Sequence, residues 1–144
     1  MTCLLDVNVL VALAWRGHVL HGPAHLWFSG LEEDWVTTPL TEAGLLRISM
    51  NPRVVDRAVS WRTALRMLEA IRATRGHRRW TDDSDLVSDA VALRAPVVGH
   101  RQVTDVHLVA LARAHGGHLA TFDRGVADAV HPEDTASVTV IPAR

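Results

Sequence analysis

The feature that most constrains this chain is a recurring order: a short apolar run, an acid at or just beyond its end, and then a helical stretch. Cys3-Leu4-Leu5 reads as a buried strand ending at Asp6, and Val7 to Trp15 suits a helix packed on the sheet. Trp35-Val36-Thr37 reads as a strand, with Thr38-Pro39 as cap and first residue of a helix that carries Glu42 in its first turns. Thr104 to His115 is a predicted helix capped by Thr104, with Asp105 at its opening and Gly116-Gly117 as its stop. His118 to Phe122 is a strand ending at Asp123, and Ser137 to Ile141 alternates into a last short strand. Strands alternating with helices imply an α/β fold of three layers, a central mainly parallel sheet flanked by helices. Functional groups then collect at the carboxyl ends of the strands.

Between these landmarks a helix is expected over Pro23 to Leu31 and a longer one over Asp56 to Ala73. On the longer one Trp61, Ala64, Leu65, Leu68 and Ile71 fall on one stripe, with Val59 and Met67 offset toward a second contact. Asp85 to Arg94 reads as helical and Pro96-Val97-Val98 as a short extended piece. With 144 residues, no repeat and no linker-like tract, the expectation is one domain over 1–144, large enough to bury a proper core.

Composition removes several chemistries. All 15 basic residues are Arg and none is Lys, which leaves no Walker-type phosphate loop and no Schiff-base amine. A net charge of −1 gives no broadly basic face, so any nucleic-acid site is local. Cys3, the single cysteine, reads as a core thiol, and a cytoplasmic location is expected. The first residues lack the positive charge of a secretory signal and are interrupted by Asp6 and Asn8. The longest apolar run, Val9 to Trp15, is far short of a membrane span.

The acids carry the functional reading. Asp6, Glu42, Asp105 and Asp123 lie far apart in sequence, yet all can converge on one sheet edge. Taken singly, an Asp at a helix start is most often a cap. Glu42 is different, because a capping box on Thr38 falls at Thr41. Several carboxylates in one crevice repel unless a cation joins them, and oxygen-only ligands select a hard ion such as Mg²⁺ or Mn²⁺. Such an ion orients and acidifies a water and stabilises charge on a phosphoryl oxygen, which points to phosphodiester hydrolysis.

Four segments extend this reading: Leu-Leu-Asp-Val-Asn-Val-Leu at 4–10, Thr-Thr-Pro-Leu-Thr-Glu at 37–42, Arg-Gln-Val-Thr-Asp-Val-His-Leu at 101–108 and Leu-Ala-Thr-Phe-Asp-Arg-Gly at 119–125. In this order they resemble the PIN-domain ribonucleases, specifically the VapC-type toxins of bacterial toxin–antitoxin pairs. The resemblance implies a PIN-like fold and a Mg²⁺-dependent endoribonuclease that cleaves structured cellular RNA, with Mn²⁺ as a substitute. It makes Asp6, Glu42, Asp105 and Asp123 the acidic site, with Asp6 and Asp105 as metal ligands and Asn8 and Thr121 as supporting polar groups. It further implies a homodimer held inactive by a VapB-like antitoxin. Two rivals stand beside it: a non-catalytic RNA- or protein-binding subunit on the same fold, and a structure-specific DNA nuclease, for which the chain lacks a threading insertion.

Weaker signals are assigned by default. His18, His21 and His25 read as surface polar residues at a helix start. The tryptophans read as core, apart from Trp80, which follows Arg78-Arg79 and is a candidate for stacking on a base. Arg101 and Arg124 flank acids and are candidates to reach RNA phosphates, as is Arg47, though pairing with the acids would serve each equally well. His107 is assigned no role, and Asp82, Asp83, Asp85, Asp89 and Asp128 read as caps or solvated groups.

Overall fold

The computed structural model describes residues 1–144. Five strands, β1 (Cys3–Leu5), β2 (Trp35–Thr37), β3 (His77–Arg79), β4 (His118–Thr121) and β5 (Val138–Val140), form one sheet in the order β3-β2-β1-β4-β5. Every neighbouring pair is parallel. The chain lays down β1, β2 and β3 in one direction and then returns to the other side of β1 for β4, so the order reverses between β1 and β4. That reversal leaves a crevice at the carboxyl ends of these two strands, where a doubly wound sheet binds ligands.

Alternation along each strand sorts the core into two layers. Leu4, Val36 and Leu119 face α6 (Val103–Ala114), α5 (Ala90–Arg94) and the short α7 (Gly125–Asp128). Cys3, Leu5, Trp35 and Ala120 face α1 (Val7–Ala14), α2 (His21–Ser29), α3 (Pro39–Ser49) and α4 (Trp61–Arg72). Helices α1 and α3 approach closely at Gly44, where an added Cβ would lie 2.6 Å from Val7 Cγ2. Helix α3 begins as expected, with Thr38 and Thr41 capping one another reciprocally and Pro39 in the first turn. Helix α6 stops at Gly116, which adopts the left-handed φ of 71° that a side chain would resist.

Several elements depart from expectation. The 51–60 segment forms turns instead of extending α4 to Asp56; Val59 N–H bonds back to Ser49 O, and Ser60 caps the helix. Val59 therefore precedes the helix and shares no helical face with Met67. Trp61 is 55% exposed, not core. Helix α5 starts at Ala90 on its Asp89 cap, and a 3-10 turn over His100–Gln102, not Thr104, leads into α6. Pro96–Val98 pairs with no strand, whereas His77–Arg79 does. The histidines fasten α2: the rings of His21 and His25 donate to Ala12 O and Leu13 O at the end of α1. No helix is long and apolar enough to cross a membrane.

Candidate active site

Asp6 is the first residue beyond β1, at the reversal point. One carboxylate oxygen accepts from Val7 N–H at 2.7 Å, capping α1. The other accepts from the Thr121 hydroxyl at 2.7 Å and from Asn8 Nδ2 at 3.3 Å. Asn8 also donates to Thr121 Oγ1 and accepts from Phe122 N–H. The hydroxyl of Thr121 accepts from Asp123 N–H, and Asp123 Oδ1 accepts from Gly125 N–H at 2.8 Å. Thus Asn8 and Thr121 bridge the ends of β1 and β4 and fix the carboxylates beside them, while the Asp123 side chain remains exposed.

Asp105 comes from the other layer, in the first turn of α6. A helix start favours the charged carboxylate, yet the Asp105 carboxyl is pushed up to about 6. Burial is the main cause, followed by the negative charges of Asp6 and Asp123. The Asp6 carboxyl is likewise raised. Its burial outweighs the hydrogen bonds from Thr121 and Val7 that oppose the rise, and Asp123 adds to it. Three acids from three elements therefore share one electrostatic environment, and none of them has a basic partner. Their donors are all oxygen, the set that suits a hard divalent cation.

Glu42 is placed differently. It lies buried in the first turn of α3, beyond the end of the neighbouring strand β2, and accepts from the Thr37 hydroxyl at 2.7 Å. Arg72 on α4 and Arg79 on β3 approach its Oε1 at 3.8 and 3.6 Å. His77 completes the group by donating Nε2–H to Thr37 Oγ1. Burial, then the charge of Arg72, lowers its pKa and keeps the ring neutral. The fold puts Glu42 on the same sheet edge as the other acids, but its immediate neighbours are arginines.

A model of the PIN domain matches residues 3–131, a span that holds all four acids and both bridging residues. The chain belongs to the PIN-domain family. Within that family this PIN domain is 52% identical over 124 residues to ribonuclease VapC38 of Mycobacterium tuberculosis, covering 85% of this chain and 86% of the relative. It is 46% identical over 129 residues to ribonuclease VapC39 of the same species, covering 89% and 93%. These identities place it among the VapC ribonucleases. Among solved structures, a toxin–antitoxin complex from Klebsiella pneumoniae shares the fold with a TM-score of 0.63 at 15% identity, covering 97% of this chain and 98% of that one. The VapC20 toxin of M. tuberculosis, described as cleaving the sarcin-ricin loop, does so with a TM-score of 0.61 at 17% identity over 87% and 92%.

The arginines of this PIN domain divide otherwise than the sequence suggests. Arg47, Arg101 and Arg124 are exposed and pair with no acid, whereas Arg72 and Arg79, singled out by no motif, flank Glu42. The only signal for them is the charge of His77-Arg78-Arg79, which hides a strand. Trp80 stacks on His115 with ring centroids 4.3 Å apart and packs against the core, so it is not a free base platform. The side chain of Asp82 accepts from Leu40 N–H and contacts His107, giving that histidine a bracing role.

Proposed function

We propose that this PIN domain is a Mg²⁺-dependent endoribonuclease, the toxin of a toxin–antitoxin pair. In this reading it acts in the bacterial cytoplasm as a homodimer, cleaves structured RNA and is held in check by a VapB-like antitoxin. One observation carries the reading: Asp6, Asp105 and Asp123 influence one another's charge beside the strand-order reversal, and no basic side chain pairs with any of them. Asp6 and Asp105 are the proposed ligands. Bound there, a divalent ion would supply the positive charge that polarises a phosphoryl oxygen and acidifies water.

The chain's own groups do the rest. The hydroxyl of Thr121 and the amide of Asn8 lock Asp6 in one rotamer, so its free lone pairs keep their direction during the reaction. Asp105, whose carboxyl is raised to about 6 by burial and by the neighbouring acids, would be held ionised by a bound cation and so gains the most from it. Asp123, solvent-exposed at the crevice mouth, orients the attacking water. Glu42 holds Arg72 and Arg79 beside the crevice, and exposed Arg101 and Arg124 meet RNA phosphates from the other side. The non-catalytic alternative would be favoured by loss of an acid, and all four are present.

The test is to express the chain with and without its neighbouring gene and to sequence RNA 5′ ends. New ends are expected with the chain alone and not with Asp105→Asn or with the neighbour co-expressed. Near-normal cleavage by purified Asp105→Asn in Mg²⁺ would remove the metal-hydrolase reading.

A further inference from the structure

At the amino edge of the sheet, the far end of the same strands, three side chains of a different chemistry meet. The Cys3 thiol, the His118 imidazole and the Glu33 carboxylate bring one ligand atom each to within 4.8 Å of one another. The backbone imposes this meeting. Cys3 and His118 are register partners in the β1–β4 ladder. Cys3 N–H donates to Asp34 O at 2.9 Å, which ties the turn bearing Glu33 to the start of β1. Cys3 is fully buried and His118 nearly so, while Glu33 reaches solvent.

We propose that Cys3, His118 and Glu33 form a second metal site, selective for Zn²⁺ or a similar borderline-soft divalent ion. A thiolate, an imidazole and a carboxylate are zinc ligands, and three of them leave a fourth position for water. The His118 ring is already aimed: Thr139 Oγ1 lies 2.7 Å from Nδ1, so Nε2 faces Cys3 and Glu33. Such a hydrogen bond to the remote nitrogen is the usual support of a metal-bound histidine. Glu33 also lines a cleft of about 470 Å³, together with Glu32, Asp34 and Arg75, so one of the three ligands is reached from solvent.

Without metal, His118 and Glu33 are in direct contact and the thiol keeps its proton, its pKa pushed up to about 12 chiefly by burial. Binding separates that pair slightly on the Glu33 turn and releases the thiol proton to solvent. The ion would pin the 31–34 turn to β1 and β4, a staple at the end of the sheet opposite the acids. This site does not depend on the ribonuclease reading.

The experiment is a Co²⁺ titration of the chelator-treated full chain, repeated in an Asp105→Asn background that weakens the acidic site. Expected is a thiolate-to-cobalt charge-transfer band that saturates at one equivalent, is unchanged in Asp105→Asn and is displaced by Zn²⁺. The band should vanish in Cys3→Ser. Glu33→Gln, on a partly exposed turn, and Thr139→Val, which frees His118 Nδ1, should each retain the band with binding weaker by about 10–100-fold. Absence of a thiolate band in the wild type at saturating Co²⁺ would overturn the proposal. So would unchanged affinity in both Glu33→Gln and Thr139→Val, which would leave His118 and Glu33 as an ion pair only.

Discussion

Asp105 and Asp134 are two carboxylates of one small protein pushed in opposite directions. Asp134, in the 3-10 segment before β5, is buried and receives Arg94 Nε at 2.7 Å and Arg94 Nη2 at 2.5 Å, with Arg113 bonded to the same carboxylate. The Arg94 hydrogen bonds hold its pKa below the usual carboxylate range. Asp105 has acids where Asp134 has arginines, and its carboxyl is raised to about 6, by burial first and by those acids second. A paired acid closes a fold, whereas acids left in mutual repulsion are retained against stability and therefore indicate a ligand. Glu42 stands between these extremes, with two half-exposed arginines at salt-bridge distance.

The largest effect should come from the unpaired group. Asp6→Asn or Asp105→Asn is expected to lower RNA cleavage in Mg²⁺ by on the order of 10³-fold, since several kcal/mol of transition-state stabilisation depends on the ion. Glu42→Gln should cost less, about 10-fold, because the amide still accepts from Thr37 while the arginines lose their charged partner. Comparable losses for Glu42→Gln and Asp105→Asn in a side-by-side cleavage assay would put Glu42 in the same cluster as the aspartates.

Asp134→Asn should reverse this pattern. It is expected to destabilise the fold by about 1–2 kcal/mol in denaturant melts, a modest figure because both arginines reach water. Cleavage by the folded fraction should be unchanged. Its contribution has a defined pH window: present above the unfolded pKa near 4, it is lost as the pH falls through the lowered folded pKa. A cleavage defect in fully folded Asp134→Asn would break the distinction between the two acids.

The smallest effect has the opposite sign. In EDTA, the raised Asp105 carboxyl favours the folded state below the unfolded pKa near 4, and that stability is lost as the pH rises to about 6. The decline should be about 1 kcal/mol, since water screens a half-exposed carboxyl. Asp105→Asn should remove its share of the decline and leave that of Asp6, and a flat wild-type profile between pH 4 and 6 would contradict the raised carboxyls.

How much of this was legible depends on which residues carry a burial signal. Strands β1, β2 and β4 are short apolar runs with turn residues or acids after them, so their ends, and Asp6 and Asp123, could be read directly. Asp105 followed from the helix before β4. Strand β3 could not be read, because His77-Arg78-Arg79 lies at the sheet edge, with none of its residues fully buried, and joins only through backbone pairing with β2. With β3 went the partners of Glu42, since Arg79 lies on it and Arg72 ends the preceding helix. Helix α4 starts later than its periodicity predicts for a related reason: Val59 N–H bonds to Ser49 O, a tertiary bond that helical periodicity does not reveal.

The most direct measurement is a set of thermal melts of wild type, Asp105→Asn and Asp134→Asn, in EDTA and in 10 mM Mg²⁺ at fixed ionic strength. For a dissociation constant of about 1 mM, Mg²⁺ should stabilise the wild type by roughly 1.4 kcal/mol. Asp134→Asn should gain the same amount from a lower starting point. In EDTA, Asp105→Asn should start higher and gain much less from the ion. Equal Mg²⁺ shifts in wild type and Asp105→Asn would mean that the unpaired acids do not hold the metal.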